Sequence, residues 1–389
     1  MGEIKYPYGH QDIDENDVAA VTAALESDWL TMGPAVGEFE KAVADYAGAR
    51  HAVSFCNGTA ALHGAMHAAG VAPGDLVLVP SLTFAATGNS AVYCGGRPIF
   101  ADISPDTLCM SPESADAALA SAKSPVRAIV PVSFAGYPAD IEAFRRLAEK
   151  YGAVLIEDGA HALGASRGDR MVGSEADMTA LSFHPVKHIT TAEGGMILTD
   201  SDEYAERLRL FRNHGIERRP EEIGREYAGP WDCDMISLGY NYRLPDLCCA
   251  LGTSQMKRLD SFVARRREIA SLYRKLFSDE PGVALPPGCP GHSYHLFVIR
   301  VEPDIRRAVF EFLRESGIGA QLHYVPMHLH TYYKQNFGTK DGDCPAAEAY
   351  SARAISLPMY AGLTDDGVTY VAGKVKEAVH RFSLRRTTG

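Results

Sequence analysis

The sequence predicts an α/β protein: a large domain on a mostly parallel, helix-covered sheet of seven strands, then a small C-terminal α+β domain. Three observations carry this. From about residue 51 to 200, short apolar runs alternate with helical stretches, the rhythm of right-handed βαβ crossovers. The chain has 389 residues, more than one typical domain holds. Two breaker clusters, Asp279-Glu280-Pro281-Gly282 and Pro286-Pro287-Gly288-Cys289-Pro290-Gly291, then end a long helical stretch, and a different pattern follows.

Strands are expected over 51–55, 76–79, 98–103, 128–132, 154–156, 178–183 and 196–198, where apolar residues run between turn formers. Helices are expected over 60–69, 85–93, 112–122 and 139–151. Such sheets bind ligands beyond the carboxyl ends of their strands. Residues 245–277 read as long helical material, and beyond the breakers strands over 295–301 and 318–324 flank a helix over 304–316. This places the large domain at 1–265 and the small one at 266–389.

Composition narrows the function. Hydrophobic residues make up 46%, enough for a real core, and the net charge of −11 contains no block of like charges, so neither nucleic acid nor a membrane surface is an expected partner. No stretch is long and apolar enough to span a bilayer, the first residues form no signal-peptide core, and Pro7 spoils a myristoylation motif at Gly2. The eight cysteines lack CxxC spacing, and Cys248-Cys249 sit in an apolar helical pattern. Free thiols then point to a reducing cytoplasm. His323, His328 and His330 have no cysteine or carboxylate at ligand spacing, so no metal is expected.

The chemistry gathers at strand ends. Lys187 lies between two buried strands, beside turn residues and Gly194-Gly195. Partial burial would lower its pKa and make the amine a nucleophile able to form a Schiff base; an exposed loop lysine is the plainer alternative. Asn57-Gly58-Thr59-Ala60 follows a strand and opens a helix, either an ordinary cap or a phosphate cradle of free N–H groups. Asp158 ends another strand, where it could cap a helix or keep a pyridine nitrogen protonated. His161 and Phe84 could meet the face of a planar ring or simply pack. Neither GxGxxG nor a Walker A motif is present, against a dinucleotide or ATP. Buried lysine, strand-end carboxylate, phosphate-binding helix start and aromatic plate together describe a pyridoxal phosphate site.

The chain resembles the DegT/DnrJ/EryC1/StrS sugar aminotransferases, of fold type I among pyridoxal phosphate enzymes. The resemblance covers nearly the whole chain. It rests on Asn57 to Leu62, Glu157-Asp158-Gly159-Ala160-His161-Ala162-Leu163-Gly164, the lysine segment with Thr190 to Gly195, and Gly239-Tyr240-Asn241-Tyr242-Arg243-Leu244. It implies that Lys187 carries the cofactor, Asp158 pairs with the pyridine nitrogen, and Phe84 and His161 contact the ring. It also implies that Gly58, Thr59 and Ser182 hold the phosphate, that Ala60 and Asn241 contact the cofactor, and that Asn241 does so by reaching into a neighbouring subunit's site in a homodimer. Histidine at 161 and Gly319-Ala320-Gln321-Leu322-His323-Tyr324-Val325-Pro326 look like the pseudaminic acid branch. That branch uses L-glutamate to turn a UDP-linked 4-keto-6-deoxy-N-acetylhexosamine into UDP-4-amino-4,6-dideoxy-N-acetyl-β-L-altrosamine. By the same resemblance Tyr8, Trp29, Leu30, Thr31, Asn241, Gln321, His323 and Tyr324 line the sugar site. The alternatives are another 4-keto or 3-keto nucleotide sugar, the family's C3 dehydratases (which typically have histidine in place of this lysine), or a non-catalytic cofactor-binding regulator. A nicotinamide reductase fits least, given the missing glycine fingerprint.

Overall fold

The computed structural model describes residues 3–384; Gly2 lies outside them. Two helices precede the sheet, where the sequence reading places no element: α1 (Glu15–Glu26), opened by a capping box between Asp14 and Asp17, and α2 (Pro34–Ala47), begun by a proline and ended by Gly48 in the left-handed conformation.

The expected alternation follows. Its elements are β1 (His51–Phe55), α3 (Gly58–Ala68), β2 (Leu76–Pro80), α4 (Ala85–Tyr93), β3 (Arg97–Ala101), α5 (Pro112–Ala120), β4 (Val126–Ile129), α6 (Ile141–Tyr151), β5 (Val154–Asp158), β6 (Met178–Ser182), β7 (Gly195–Thr199) and α7 (Asp202–Phe211). The seven strands form one sheet in the order β1-β7-β6-β5-β4-β2-β3. Only β7 runs against its neighbours, pairing antiparallel with β1 and β6. The carboxyl ends of β1, β2, β5 and β6 therefore all emerge at one edge. Side chains alternate between faces: Val77 and Val79 pack with α3, while Leu76 and Leu78 pack with Phe144 of α6.

Beyond the sheet come α8 (Asp246–Met256), α9 (Leu259–Leu276), β8 (Phe297–Arg300), α10 (Pro303–Glu315), α11 (Thr331–Phe337), α12 (Pro345–Arg353), β9 (Ala354–Leu357) and α13 (Asp365–Leu384). Two expectations need correcting. The helical stretch 245–277 is two helices, because the chain turns at Arg258, whose guanidinium is drawn to Asp12, Asp14 and Asp17. Residues 318–324 form no strand: they bridge once to Tyr6 and once to Ser356 instead of running along one partner. The expected boundary between 265 and 266 falls inside α9. Its first turns (Leu259, Phe262, Val263) pack against α2, while Ile269, Ala270 and Tyr273 join a core with β8, β9, α10 and α13.

Candidate active site

The shared strand edge opens into a cleft of about 450 Å³, a size suited to a small ligand. Its lining includes Tyr8, Gly58, Thr59, Phe84, Asp158, His161, Ser182, Lys187, His323 and Tyr324, all of them sequence-predicted. A larger recess of about 640 Å³ lies over α2 and α7, but it holds neither Lys187 nor Asp158, and its Arg212 is already paired with Glu40.

Lys187 sits in the loop that carries the chain from β6 back into β7. It keeps some surface toward the cleft, yet protein packs around it, and its amine is held down to about 7. Burial is the largest cause; Asp158 opposes it and Arg266 adds to it. Close to half of the amine is then uncharged at neutral pH, as a nucleophile requires.

Asp158 ends β5 and is buried, 4% exposed. Thr87 of α4 donates its hydroxyl to Oδ2 at 2.7 Å, and the N–H of Ala160 donates to Oδ1 at 3.1 Å. Burial still pushes the carboxyl above its usual range, against these bonds and Lys187. A cation on its open side is what this carboxylate lacks, and a protonated ring nitrogen would supply one.

The phosphate end is a cradle of backbone. Asn57 caps α3 by accepting the N–H of Ala60 at 2.8 Å. Ala60 is buried, and its amide is bonded to this cap. The N–H groups of Gly58 and Thr59, in the first turn, have no intrahelical acceptor. A Cβ on Gly58 would come within 3.0 Å of Ser182 Cβ, and one on Gly195 within 2.6 Å of the Asn57 carbonyl carbon. Only glycines let β7 and Ser182 approach the helix start this closely.

Across the cleft, the N–H of Ala135 donates to His161 Nδ1 at 3.3 Å. The ring, kept neutral by burial, must then carry its proton on Nε2 and donate to Tyr324 Oη, 3.1 Å away. Among the described residues none stacks on Phe84, which is 56% exposed with its ring 5.9 Å from that of Tyr324, so a planar ligand could lie against it. An open-faced aromatic, a buried lysine, an under-compensated carboxylate and an anion cradle fit pyridoxal phosphate.

Other predicted residues lie elsewhere. Trp29, Leu30 and Thr31 are exposed on the turn between α1 and α2. That turn is tied to α8, because Gly33 N–H donates to Asp246 and Asp246 N–H donates to the Leu30 carbonyl. Gln321 is exposed and spends its backbone on Ser356. Asn241 is exposed and bridges Asn213. None of the five lines the cleft of its own chain. Sequence reasoning in turn missed Thr87, His295 and Arg266, which meet Asp158, the cleft and the Lys187 loop. A Thr83-Thr87 pair one helical turn apart is a signal only once α4 is known to face Asp158. Among the described residues no group of three or more His, Cys, Asp or Glu could hold a metal: His323 bonds Ser356, and His328 bonds Ser81 and Glu348. No described helix is long and apolar enough to cross a membrane.

A model of the DegT/DnrJ/EryC1/StrS aminotransferase family matches residues 11–376. The chain is 38% identical over 382 residues to the spore coat polysaccharide biosynthesis protein SpsC of Bacillus subtilis, covering 96% of this chain and 97% of that one. It matches the structure of Helicobacter pylori PseC, an aminotransferase involved in the biosynthesis of pseudoaminic acid. That match has a TM-score of 0.89 at 30% identity, over 97% of this chain and 99% of that one. The PLP form of Spr1654 from Streptococcus pneumoniae matches with a TM-score of 0.88 at 28% identity, over 96% and 98%.

Proposed function

This chain belongs to the DegT/DnrJ/EryC1/StrS aminotransferase family, with pyridoxal phosphate as its cofactor, and on that premise we propose that it aminates C4 of a UDP-linked 4-keto-6-deoxy-N-acetylhexosamine. L-Glutamate is the donor, and the product is UDP-4-amino-4,6-dideoxy-N-acetyl-β-L-altrosamine. The observation that carries the sugar assignment is the likeness to PseC over 97% of the chain. A different keto nucleotide sugar is the second reading, favoured by the higher identity, 38%, to SpsC.

Bound in the cleft, pyridoxal phosphate supplies an aldehyde for amine exchange and a conjugated ring that takes up carbanion charge. Gly58, Thr59 and Ser182 hold its phosphate, Phe84 and His161 confine its ring, and Asp158 keeps the ring nitrogen protonated. The freed Lys187 Nζ takes the proton from glutamate Cα and later delivers a proton to sugar C4. The face from which Lys187 reaches C4 sets the configuration of the new amine. His323, Tyr324 and Tyr8 wall the sugar's side of the cleft.

We propose further that two chains pair, in the cytoplasm, so that Asn241 and the Trp29 to Thr31 turn enter the partner's cleft. Supporting this, Trp29, Leu30, Met32, Trp231, Met235 and Leu238 are all exposed on one chain and offer large apolar side chains for a second copy to cover.

The test is mass spectrometry of the product formed by purified holoenzyme, glutamate and either the UDP-4-keto-6-deoxy-L-arabino-hexosamine or its D-xylo isomer. Amination of the L-arabino sugar is expected. If only the D-xylo sugar gains an amine, the assigned sugar is wrong and the second reading takes its place.

A further inference from the structure

Arg266, on α9, is among the largest fully buried side chains, 1% exposed, and has no part in the chemistry above. Among the described residues no carboxylate pairs with it; its partners are backbone carbonyls. Nη1 donates to those of Met359 at 2.9 Å, Tyr294 at 3.2 Å and His295 at 3.4 Å, and Nη2 donates to that of Lys187 at 3.3 Å. Its Nε is buried with no partner. Desolvation pulls the guanidinium down to about 10. A cation held only by dipoles is costly, and an apolar side chain would fill the same space at less cost. Its place behind Lys187 gives it a use.

We propose that Arg266 is a positioning residue for Lys187: it clamps the lysine's own carbonyl to the segments at residues 294–295 and 359, and sets a fixed positive charge behind the lysine amine. The inference rests on reading Lys187 as the amine of this site. Two charged groups act on that amine in opposite senses: Asp158 favours the ammonium and Arg266 favours the free base. His161, His188, His295 and His323 surround it, kept neutral by burial, and His184 and Glu193 line the open side. The site needs Asp158 ionised and Lys187 uncharged together. Burial is the larger cause of the free base; Asp158 pulls back toward the ammonium, and Arg266 offsets part of that pull.

The test uses cofactor-free protein and no substrate, so a wrong sugar assignment cannot affect it. Lys187 is labelled by a limiting amine-acylating reagent across pH 5.5–10, and its peptide is quantified by mass spectrometry. Arg266→Gln keeps N–H donors but loses the charge; its labelling midpoint should rise by about one pH unit from about 7, roughly fivefold less free base at neutral pH. Arg266→Lys keeps the charge with fewer donors and should label with a midpoint near the wild type, even if it melts earlier. A folded Gln variant with the wild-type midpoint would overturn the proposal. So would a Lys variant whose midpoint has risen by a full unit, a result that is decisive even if the Gln protein does not fold.

Discussion

Replacing Lys187 with methionine, a neutral side chain of similar length, should stabilise the cofactor-free protein at neutral pH while abolishing amine transfer. The amine titrates near 7 in the fold against 10.5 in an unperturbed lysine. Between those values the unfolded chain binds more protons at this position than the folded one, so wild-type stability rises with pH across the window and levels off above it. Below the window the burial of this group costs the fold its full penalty. At pH 7 the difference corresponds to about 4 kcal/mol, and because the amine keeps some surface toward the cleft, solvent screening leaves roughly 2–3 kcal/mol. In a chain of this length ~1 kcal/mol moves the melting temperature by about 1 °C. The variant should therefore melt about 2–4 °C above the wild type near neutral pH, and within about 1 °C of it near pH 10.5. Thermal melts of both proteins, stripped of cofactor and held at one concentration, would measure this. A single-turnover assay on the reloaded variant should show no transfer. If the variant melts at or below the wild type at every pH, Lys187 is not a strained buried amine, and the pKa argument for its reactivity fails.

Two further substitutions probe the rest of the cleft. Thr87→Val removes the hydroxyl that bonds Asp158 Oδ2 at 2.7 Å; losing a bond to a charged group costs about 1.5–3 kcal/mol, so cofactor affinity measured by titrating the stripped protein should fall about tenfold or more, and an unchanged affinity would mean that Thr87 does not support the carboxylate. Gly195→Ala puts a Cβ within 2.6 Å of the Asn57 carbonyl carbon and 2.7 Å of Gly58 N, backbone atoms that move only if the start of α3 moves; overpacking of this kind costs ~1–3 kcal/mol, and the same titration should show roughly 10- to 100-fold weaker binding. Affinity within twofold of the wild type would show that the cradle does not depend on this close approach.

Much of the sheet was legible because its signal is local. The strand at 51–55 and the helix at 85–93 lie where the apolar runs place them, and the other sheet elements differ only at their ends. What escaped was decided by long-range polar contacts. The turn at Arg258 answers to aspartates at 12, 14 and 17, and the segment 318–324 is shared between Tyr6 and Ser356. The two N-terminal helices went unread although Asp14 and Pro34 are sound start signals. Residues at strand ends that line the cleft were named from the sequence, while the groups that support them from packed helices, Thr87 on Asp158 and Arg266 on Lys187, were not.

Taken alone, the sequence determined the class of chemistry. A lysine between two strands, a carboxylate ending a third and a glycine-opened helix are each set by neighbours within a few residues, and parallel strands bring their carboxyl ends to one edge without further instruction. Only the tertiary structure decided how those groups are tuned. The bond between Tyr324 and His161 spans 163 residues and that between Arg266 and Lys187 spans 79, and no local pattern records either. Tautomer, charge state and the free base on Lys187 come from desolvation and from charges packed within a few ångströms. These are properties of the assembled interior, which the order of residues along the chain does not display.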